Sequence, residues 1–183
     1  LLVSGGHTQL LYVRALGVYE RIGTTIDDAL GEAFDKTAKL LGLPQPGGPY
    51  VEKAAQTGDP KRFSFPRPMV GREEAHFSYA GLKTAVRRKA QELAPLSAQD
   101  IADLSASFQA AAFETVLDRT QRAMLLVKEI SPPQTPKRLV VSGGVAANKI
   151  LRGHLEALVQ SEHYHLHIPP AALCADKIGR AHV

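Results

Sequence analysis

Two apolar runs in this sequence end in the same tripeptide, Ser-Gly-Gly. The first run leads to Ser4, and the second, near the other end of the chain, leads to Ser142. Glycine tolerates positive φ and lets a ligand approach backbone N–H groups, which is the chemistry that holds phosphate oxygens. A single turn of this type is weak evidence for a site. Two of them, each at the end of a predicted strand, predict the two lips of one nucleotide cleft.

A run of histidines and the single cysteine also carry side chains with reactive potential. His163, His165 and His167 alternate along a predicted strand, so they would share one face, either as metal ligands or as a polar edge in solvent. We favour the solvent-facing edge. Cys174 has no partner for an internal disulfide, which fits a reducing cytoplasm, and a small buried thiol is a commoner role than a nucleophile.

The 183 residues carry a net charge of +4, and the basic residues are concentrated in two segments. Eight basic and three acidic residues lie from Lys61 to Glu92, and four basic residues but no acid lie from Lys137 to Arg152. Two interpretations remain open, an ordinary solvated face or a nucleic-acid surface. The cations that would contact phosphates are Arg62, Arg67, Arg72, Lys83 and Arg87. The neighbouring aromatic residues, Phe63, Phe65 and Phe77, are expected in the core. No apolar run is long enough for a membrane span.

The elements that must position these residues alternate between extended and helical patterns, which predicts an α/β fold. Extended runs are predicted at residues 2–4, 9–14, 19–22, 139–142 and 164–168. Helices are predicted at residues 30–41, 49–58, 79–94, 97–130 and 146–159. A rigid loop is predicted at residues 43–49 and a long surface loop at residues 59–76. Asp27, Ser78 and Ser97 are the predicted helix caps, with Ser97 and Asp100 forming a capping box.

Four stretches of the sequence closely resemble one family, the tRNA N6-adenosine threonylcarbamoyltransferases, formerly named O-sialoglycoprotein endopeptidases. They are residues 2–10, 26–48, 63–82 and 141–151. The resemblance implies an α/β fold of the actin-like and Hsp70-like (ASKHA) nucleotide-binding type, with residues 1–176 forming mostly its second lobe. It also implies transfer of a threonylcarbamoyl group from threonylcarbamoyl-AMP to N6 of adenosine 37 in tRNAs that read ANN codons.

The same resemblance assigns ligand contacts residue by residue. The positions that match contacts to the acyl-adenylate are Leu2, Val3, Ser4, Gly5, Gly6, Asp35, Gly48, Glu52 and Asn148. Asp35 would accept hydrogen bonds from ribose hydroxyls, and Asn148 would contact the adenosine, since an amide both donates and accepts. Gly48 would allow a close approach, and Glu52 stands where many members have Asp. Without the resemblance Asp35 would be an exposed helix carboxylate, and a helix-start residue remains the alternative for Asn148.

Asp176 matches the family's metal-ligand aspartate. Its partners in the family are two histidines of an H-x-x-x-H motif that precedes the first Ser-Gly-Gly, in a region that this sequence does not include. The implied cofactor is one divalent metal, Fe²⁺ or Zn²⁺. The implied partners are tRNA, threonylcarbamoyl-AMP, a paralogous pseudo-enzyme subunit and an ATPase subunit, in the cytoplasm and without a membrane.

Two other classes of function remain as alternatives. One is a metalloprotease, after the family's former name, although the sequence contains no His-Glu-x-x-His motif. The other is a non-catalytic partner subunit of the same fold. Against the second stands the joint presence of Asp35, Gly48, Asn148 and Asp176, since a degenerate paralogue need not keep ligand and metal positions.

Both ends of the sequence carry expectations of their own. Leu1 is not an initiator Met and opens directly on a strand-like run, so we expect an internal piece of a longer protein that is catalytically inactive alone. Residues 177–183 depart from the family's continuation after Asp176, and their codons can spell a common sequencing adapter. We therefore expect residues 1–176 to be native and residues 177–183 to be a non-native tail.

Overall fold

The computed structural model describes residues 1–170, in which strands and helices alternate. The strands are β1 (Leu2–Val3), β2 (Thr8–Ala15), β3 (Val18–Thr24), β4 (Arg138–Val140) and β5 (His165–His167). The helices are α1 (Leu30–Leu40), α2 (Gly47–Ala55), α3 (Ala80–Leu93), α4 (Ala98–Ile130) and α5 (Lys149–Ser161). A 3-10 turn, Gly144–Ala147, precedes α5. The α/β class predicted from the sequence is confirmed.

The five strands assemble into one mixed arrangement. β1, β2 and β3 are antiparallel neighbours, whereas β4 and β5 pair in parallel. A parallel bridge between Leu2 and Ser142 joins the two sheets, and the Val3 N–H donates to the Ser142 carbonyl at 2.8 Å. The strand order is therefore β3-β2-β1-β4-β5. The extended runs predicted on either side of the first Ser-Gly-Gly form an antiparallel hairpin, and it lies next to the strand that leads to the second.

The core contains an aromatic cluster formed by α1 and α4. Phe34 on α1 meets Phe108 edge-on, with 4.9 Å between the ring centroids, and stacks on Phe113 at 5.7 Å. All three rings are buried. The capping box predicted from Ser97 and Asp100 is present at the start of α4, where the Ser97 hydroxyl accepts from the Asp100 N–H. The long helix and its apolar stripe were thus predictable from local pattern alone.

Two other predicted helix caps are wrong. α1 begins after Ala29, and Asp27 does not cap it. The Asp27 carboxylate lies instead at the start of α3, where it accepts from the N–H groups of Tyr79 at 2.8 Å and Ala80 at 3.3 Å. Ser78, predicted to cap α3, donates its hydroxyl to Asp27 at 2.5 Å. The cap of α3 is therefore supplied by a residue about fifty positions earlier in the chain.

Two helices also begin at residues other than those predicted. α2 starts at Gly47, inside the predicted rigid loop, because the carboxylate of Asp35 accepts the N–H of Gly47 at 2.6 Å. α5 starts at Lys149 and not at Ala146, because a 3-10 turn comes first and Asn148 then acts as the cap. In both cases a polar side chain sets the first residue of the helix.

The histidine run does not lie on one strand as predicted. His163 is in the turn that follows α5 and has a φ of 58°. His165 and His167 are exposed on one face of β5, with Leu166 between them. The exposed strand edge that we favoured from the sequence therefore holds for two of the three residues.

The loop predicted at residues 59–76, here called the strap, has no helix or strand but is fixed along α4. The α4 residues that bind it are Asp103, Ser107, Glu114, Asp118, Arg119 and Arg122. Arg119 is only 1% exposed and donates to the carbonyls of Arg72 at 2.9 Å and Glu74 at 2.5 Å. Phe65 and Ala75 of the strap are buried. The strap therefore packs along α4 and contributes buried side chains to the core.

Three predictions fall outside residues 1–170: the buried thiol of Cys174, the metal ligand Asp176, and the non-native tail at residues 177–183. Within residues 1–170, no helix combines the length and the apolar composition that crossing a membrane would require.

Candidate functional site

The two Ser-Gly-Gly turns lie side by side. The bridge between Leu2 and Ser142 aligns them, and Gly143 sits against the backbone of Val3. Gly143 has a φ of +103°, and a Cβ at this position would lie 2.1 Å from the Val3 carbonyl oxygen. Both the conformation and the space therefore require glycine. The sequence predicted two turns that meet, and they do; the nucleotide between them remains a prediction.

Ser4 shapes the first turn. Its side chain is 2% exposed, and its hydroxyl oxygen accepts from the N–H of His7 at 3.0 Å and of Gly6 at 3.3 Å. Of these two backbone amides, that of Gly6 is among those predicted from the sequence to contact anionic oxygens. The bond to Gly6 is long for an N–H···O contact, so it is the weaker of the two. A ligand oxygen at this turn would compete with the Ser4 hydroxyl for the Gly6 amide.

Asp35 and Gly48 meet where α1 faces the start of α2. The Asp35 Oδ1 atom accepts from Gly47, while its Oδ2 atom forms no hydrogen bond with any residue of the range 1–170. A Cβ on Gly47 would lie 2.6 Å from the side chain of Ala38, so Gly47 is the residue at which α2 packs closely against α1. Gly48 faces open space at its own Cβ position. One oxygen of Asp35 and the surface of Gly48 are therefore available to a ligand.

Asn148 and Glu52 together cap α5. Asn148 is 7% exposed, and its Oδ1 atom accepts from the N–H groups of Ile150 and Leu151, each at 3.0 Å. Glu52 reaches across from α2 and accepts from the N–H of Lys149 at 3.0 Å. The structure thus gives Asn148 the helix-start role that the sequence left open. Because the first amides of α5 already have acceptors, anion binding is better served by the Ser-Gly-Gly turns.

A cavity of about 750 Å³ opens between α2, the strap, α4 and the start of α5. Glu52 lines it, and Gln56 follows Glu52 one turn later on α2. Gly48 lies one turn before Glu52, so the three positions share one face of the helix. Phe63 and Ala110 supply apolar surface on the opposite side. The volume is in the range of small-molecule sites.

Sequence reasoning missed Gln109, which lines this cavity and is 7% exposed. A signal was present, because Gln109 is the amide within a run of alanines and phenylalanines and lies one turn from Ser105 and Phe113. Phe63, predicted to be a core anchor, is half-buried at the cavity wall, with the Arg62 guanidinium 4.8 Å from its ring centroid. The other two aromatic residues of that segment, Phe65 and Phe77, are buried as predicted.

Carboxylates neutralise several of the cations that the sequence offered as phosphate contacts. The pairs are Arg62 with Asp100 at 2.8 Å and Asp103 at 2.6 Å, Arg67 with Glu114 at 2.7 Å, and Lys83 with Asp28 at 2.5 Å. Arg72, Arg87 and Arg88 are exposed and form no ion pair within residues 1–170. A count of charges along the chain therefore overstates the positive field of this segment.

The described part of the chain contains no group of three or more His, Cys, Asp or Glu side chains that could hold a metal ion. Asp176, the residue assigned to a metal by the sequence, follows the last described residue. Residues 1–170 therefore supply no metal site that could be examined for fit.

Comparison with known proteins gives one consistent result. The sequence model of the family described as tRNA N6-adenosine threonylcarbamoyltransferase matches residues 1–181. The chain is similar to proteins of that name from Rhizobium johnstonii (60% identical over 177 residues), Chelativorans sp. (59% over 176) and Brucella anthropi (58% over 176). Each alignment covers 96% of this chain but 48% or 49% of the relative. The chain thus spans about half the length of the curated relatives it matches.

Proposed function

The chain belongs to the tRNA N6-adenosine threonylcarbamoyltransferase family, and from this membership we propose the reaction of the full-length protein. The family has the actin-like and Hsp70-like nucleotide-binding fold. The protein transfers the threonylcarbamoyl group of threonylcarbamoyl-AMP to N6 of adenosine 37 in tRNAs that read ANN codons. N6 forms a bond to the carbamoyl carbon, the bond from this carbon to the phosphate oxygen breaks, AMP leaves, and N6 loses a proton.

The observation that carries this proposal is the pairing of the two Ser-Gly-Gly turns. The cavity is lined by Glu52 and Lys149, whereas no residue of either turn lines it, and neither do Asp35, Gly48 and Asn148. Gly143 packs on Val3, and the chain then continues through the 3-10 turn to Lys149 at the cavity rim. Lys149 is in turn bonded to Glu52 on the far wall. A nucleotide could therefore place its phosphate at the turns and extend its nucleoside along α2.

Each assigned position has a distinct task in this arrangement. The backbone of Leu2, Val3, Ser4, Gly5 and Gly6 contacts the phosphate and the acyl group. The Oδ2 atom of Asp35 and the carboxylate of Glu52 accept from ribose hydroxyls, which are donors at neutral pH. Gly48 leaves room for the sugar, because a side chain at this position would occupy the open space beside α2. The Nδ2 atom of Asn148 donates one hydrogen to Oε1 of Gln109, and its second hydrogen is the one proposed to contact the adenosine.

The proposal includes a divalent metal, Fe²⁺ or Zn²⁺, held by Asp176 and by two family histidines outside this sequence. When bound it would polarise the carbamoyl carbonyl. The proposed partners are tRNA, a paralogous pseudo-enzyme subunit and an ATPase subunit, in the cytoplasm. We expect Asp176→Asn to lower the metal content of the purified full-length protein, as measured by elemental analysis. Unchanged metal content would remove Asp176 from the ligand set.

The test of the reaction uses the full-length protein with its partner subunits, ATP, unmodified tRNA, and threonylcarbamoyl-AMP that is labelled in its threonine part. We expect threonylcarbamoyladenosine in the nucleoside digest of the tRNA, and none when the 183-residue chain replaces the full-length protein. A folded full-length protein that binds adenine nucleotides yet leaves tRNA unmodified in this system would contradict the proposal. The same result would favour a non-catalytic subunit.

A further inference from the structure

The side-chain amide of Gln109, on α4, is buried, and its hydrogen bond to Asn148 fixes its orientation. The two backbone N–H groups that meet Asn148 must face its oxygen, so Oδ1 of Asn148 is identified by its partners. The Nδ2 atom of Asn148 is then the end that faces Gln109, and it donates to Oε1 of Gln109 at 3.1 Å. The orientation of the Gln109 amide follows from this chain of donors. The Nε2 atom of Gln109 takes no part in this contact.

Gln109 lines the cavity, and its Nε2 atom has no acceptor in the described part of the chain. The side chain is 7% exposed. The described side-chain atoms that are sealed in the core without a partner are the hydroxyls of Thr37, Tyr79, Ser105 and Thr120. Nε2 is not one of them, and Gln109 is a lining residue of the cavity. This donor therefore has no acceptor within the described protein, and water or a ligand in the cavity must supply one.

The walls around this donor suit a flat ring. Phe63 of the strap is an aromatic side chain that is only half-buried, and Ala106 and Ala110 of α4 add small apolar side chains to the lining. Apolar faces with one directed donor bind a planar heterocycle whose edge carries an acceptor. Glu52, which is proposed to accept from ribose hydroxyls, lines the same cavity, so a nucleoside would have its sugar on the α2 side.

We propose that Gln109 is a specificity-determining residue whose Nε2 atom donates a hydrogen bond to a ring nitrogen of the adenine of the acyl-adenylate. The inference rests on the proposed function, because that function supplies an adenine nucleotide to the cavity. Adenine presents acceptor nitrogens at ring positions 1, 3 and 7, and Nε2 contacts one of them. Through its Oε1 atom the same side chain holds Asn148 in the orientation that caps α5.

The experiment measures the affinity of the full-length protein for AMP and for its 1-deaza, 3-deaza and 7-deaza analogues by calorimetry. Gln109→Met keeps the volume and removes both polar atoms, whereas Gln109→Glu keeps an oxygen for Asn148 and replaces the donor by an acceptor. Gln91→Met is the matched control, because Gln91 is an exposed glutamine of α3 that does not line the cavity. Thermal unfolding of each variant shows that it is folded.

We expect both Gln109 variants to bind AMP at least tenfold more weakly, with Gln91→Met within twofold of wild type. In the wild type one deaza analogue should lose affinity by a similar factor, and Gln109→Met should bind that analogue as well as it binds AMP. Equal deaza losses in wild type and Gln109→Met would overturn the inference, as would a Gln109→Met variant that loses affinity for tRNA only. Wild-type protein that binds no AMP would overturn the proposed function together with it.

Discussion

At the scale of single residues, one side chain in this protein serves two purposes. The oxygen of Asn148 caps α5, and its nitrogen is held by Gln109 at the wall of the cavity. The sequence offered the structural and the ligand role as alternatives. The geometry makes them compatible, because they use different atoms of one amide. A substitution that removes only one of the two atoms is therefore more informative than one that removes the whole side chain.

We expect Asn148→Ala in the full-length protein to lower the free energy of unfolding by about 1–2 kcal/mol, since α5 loses its cap. It should also weaken binding of the acyl-adenylate by about 1–3 kcal/mol, the cost of leaving buried polar groups unpaired. Asn148→Asp keeps an oxygen for the N–H groups of Ile150 and Leu151 but removes the nitrogen. Calorimetry should therefore show near wild-type unfolding and weakened binding for Asn148→Asp. Wild-type binding by that variant would exclude the nitrogen from the site.

At the scale of elements, polar side chains connect segments that are far apart in the chain. Asp27 caps α3 across about fifty residues, and α4 holds the strap across similar separations. The sequence placed α4 and its capping box well, because Ser97 and Asp100 are three residues apart and act within one turn. It misassigned Asp27 and Ser78 for the opposite reason. A local pattern identifies a good cap residue but not which distant helix receives its hydrogen bonds.

Asp27→Ala should lower the unfolding temperature of the full-length protein, because α3 loses the acceptor for its first N–H groups. The expected loss is about 1–2 kcal/mol, the usual effect of removing a cap. Asp27→Asn keeps a capping oxygen and should recover most of it. Glu20→Ala is the control, since Glu20 pairs with Arg14 on an exposed hairpin and surface pairs contribute little. If Asp27→Ala and Glu20→Ala had the same small effect, the cap would not stabilise α3.

The strap should respond to pH through Asp103. The Asp59 N–H group holds the pKa of the Asp103 carboxyl below its usual range, and the Arg62 guanidinium acts in the same direction. A carboxyl whose pKa is lowered by folding stabilises the protein above its ordinary pKa of about 3.9, and this stability is lost as the pH falls through the folded pKa. Asp103→Asn should therefore lower the unfolding temperature at pH 7. On acidification, the unfolding temperature of this variant should fall less than that of the wild type.

The measurement is a series of unfolding temperatures of the full-length protein from pH 7 down to about pH 3, near the ordinary pKa of aspartate. Glu114→Gln is the matched control, because Glu114 also pairs with a strap arginine but its side chain is 54% exposed. It should follow the wild-type curve closely. Parallel curves for Asp103→Asn and wild type would mean that Asp103 does not link the strap to pH.

At the scale of the whole molecule, the sequence was most informative about strands, helices and the meeting of the two Ser-Gly-Gly turns. It was least informative about the cavity. Gln109 lines the cavity, and Arg119 holds the strap that forms one of its sides. Both residues make contacts between segments about forty to fifty residues apart, so these surfaces exist only after the segments have packed together. Helical spacing can show that a residue such as Gln109 faces inward, but not which group it faces. The same limit affects charge, because ion pairing is a property of the folded surface.

The last prediction concerns which cations of the folded surface contact tRNA. Arg72, Arg87 and Arg88 are exposed and have no ion pair within residues 1–170, whereas Arg67 and Lys83 are neutralised by carboxylates. An unpaired cation that contacts a phosphate releases a counterion, and each lost contact flattens the slope of log affinity against log salt by roughly 0.7–0.9. Replacing all three unpaired arginines by Gln in the full-length protein should therefore flatten the slope for tRNA, with little change in preference among tRNA sequences.

The matched control for this tRNA titration replaces three paired cations by Gln: Arg14, Arg67 and Lys83. Their charges are already compensated in the fold, so the salt slope of the control should stay near that of the wild type. Titrations at several salt concentrations distinguish the two sets. If the control flattened the slope as much as the unpaired set did, the ion pairs would open on binding, and the sequence's count of cations would describe the tRNA surface better than the folded structure does.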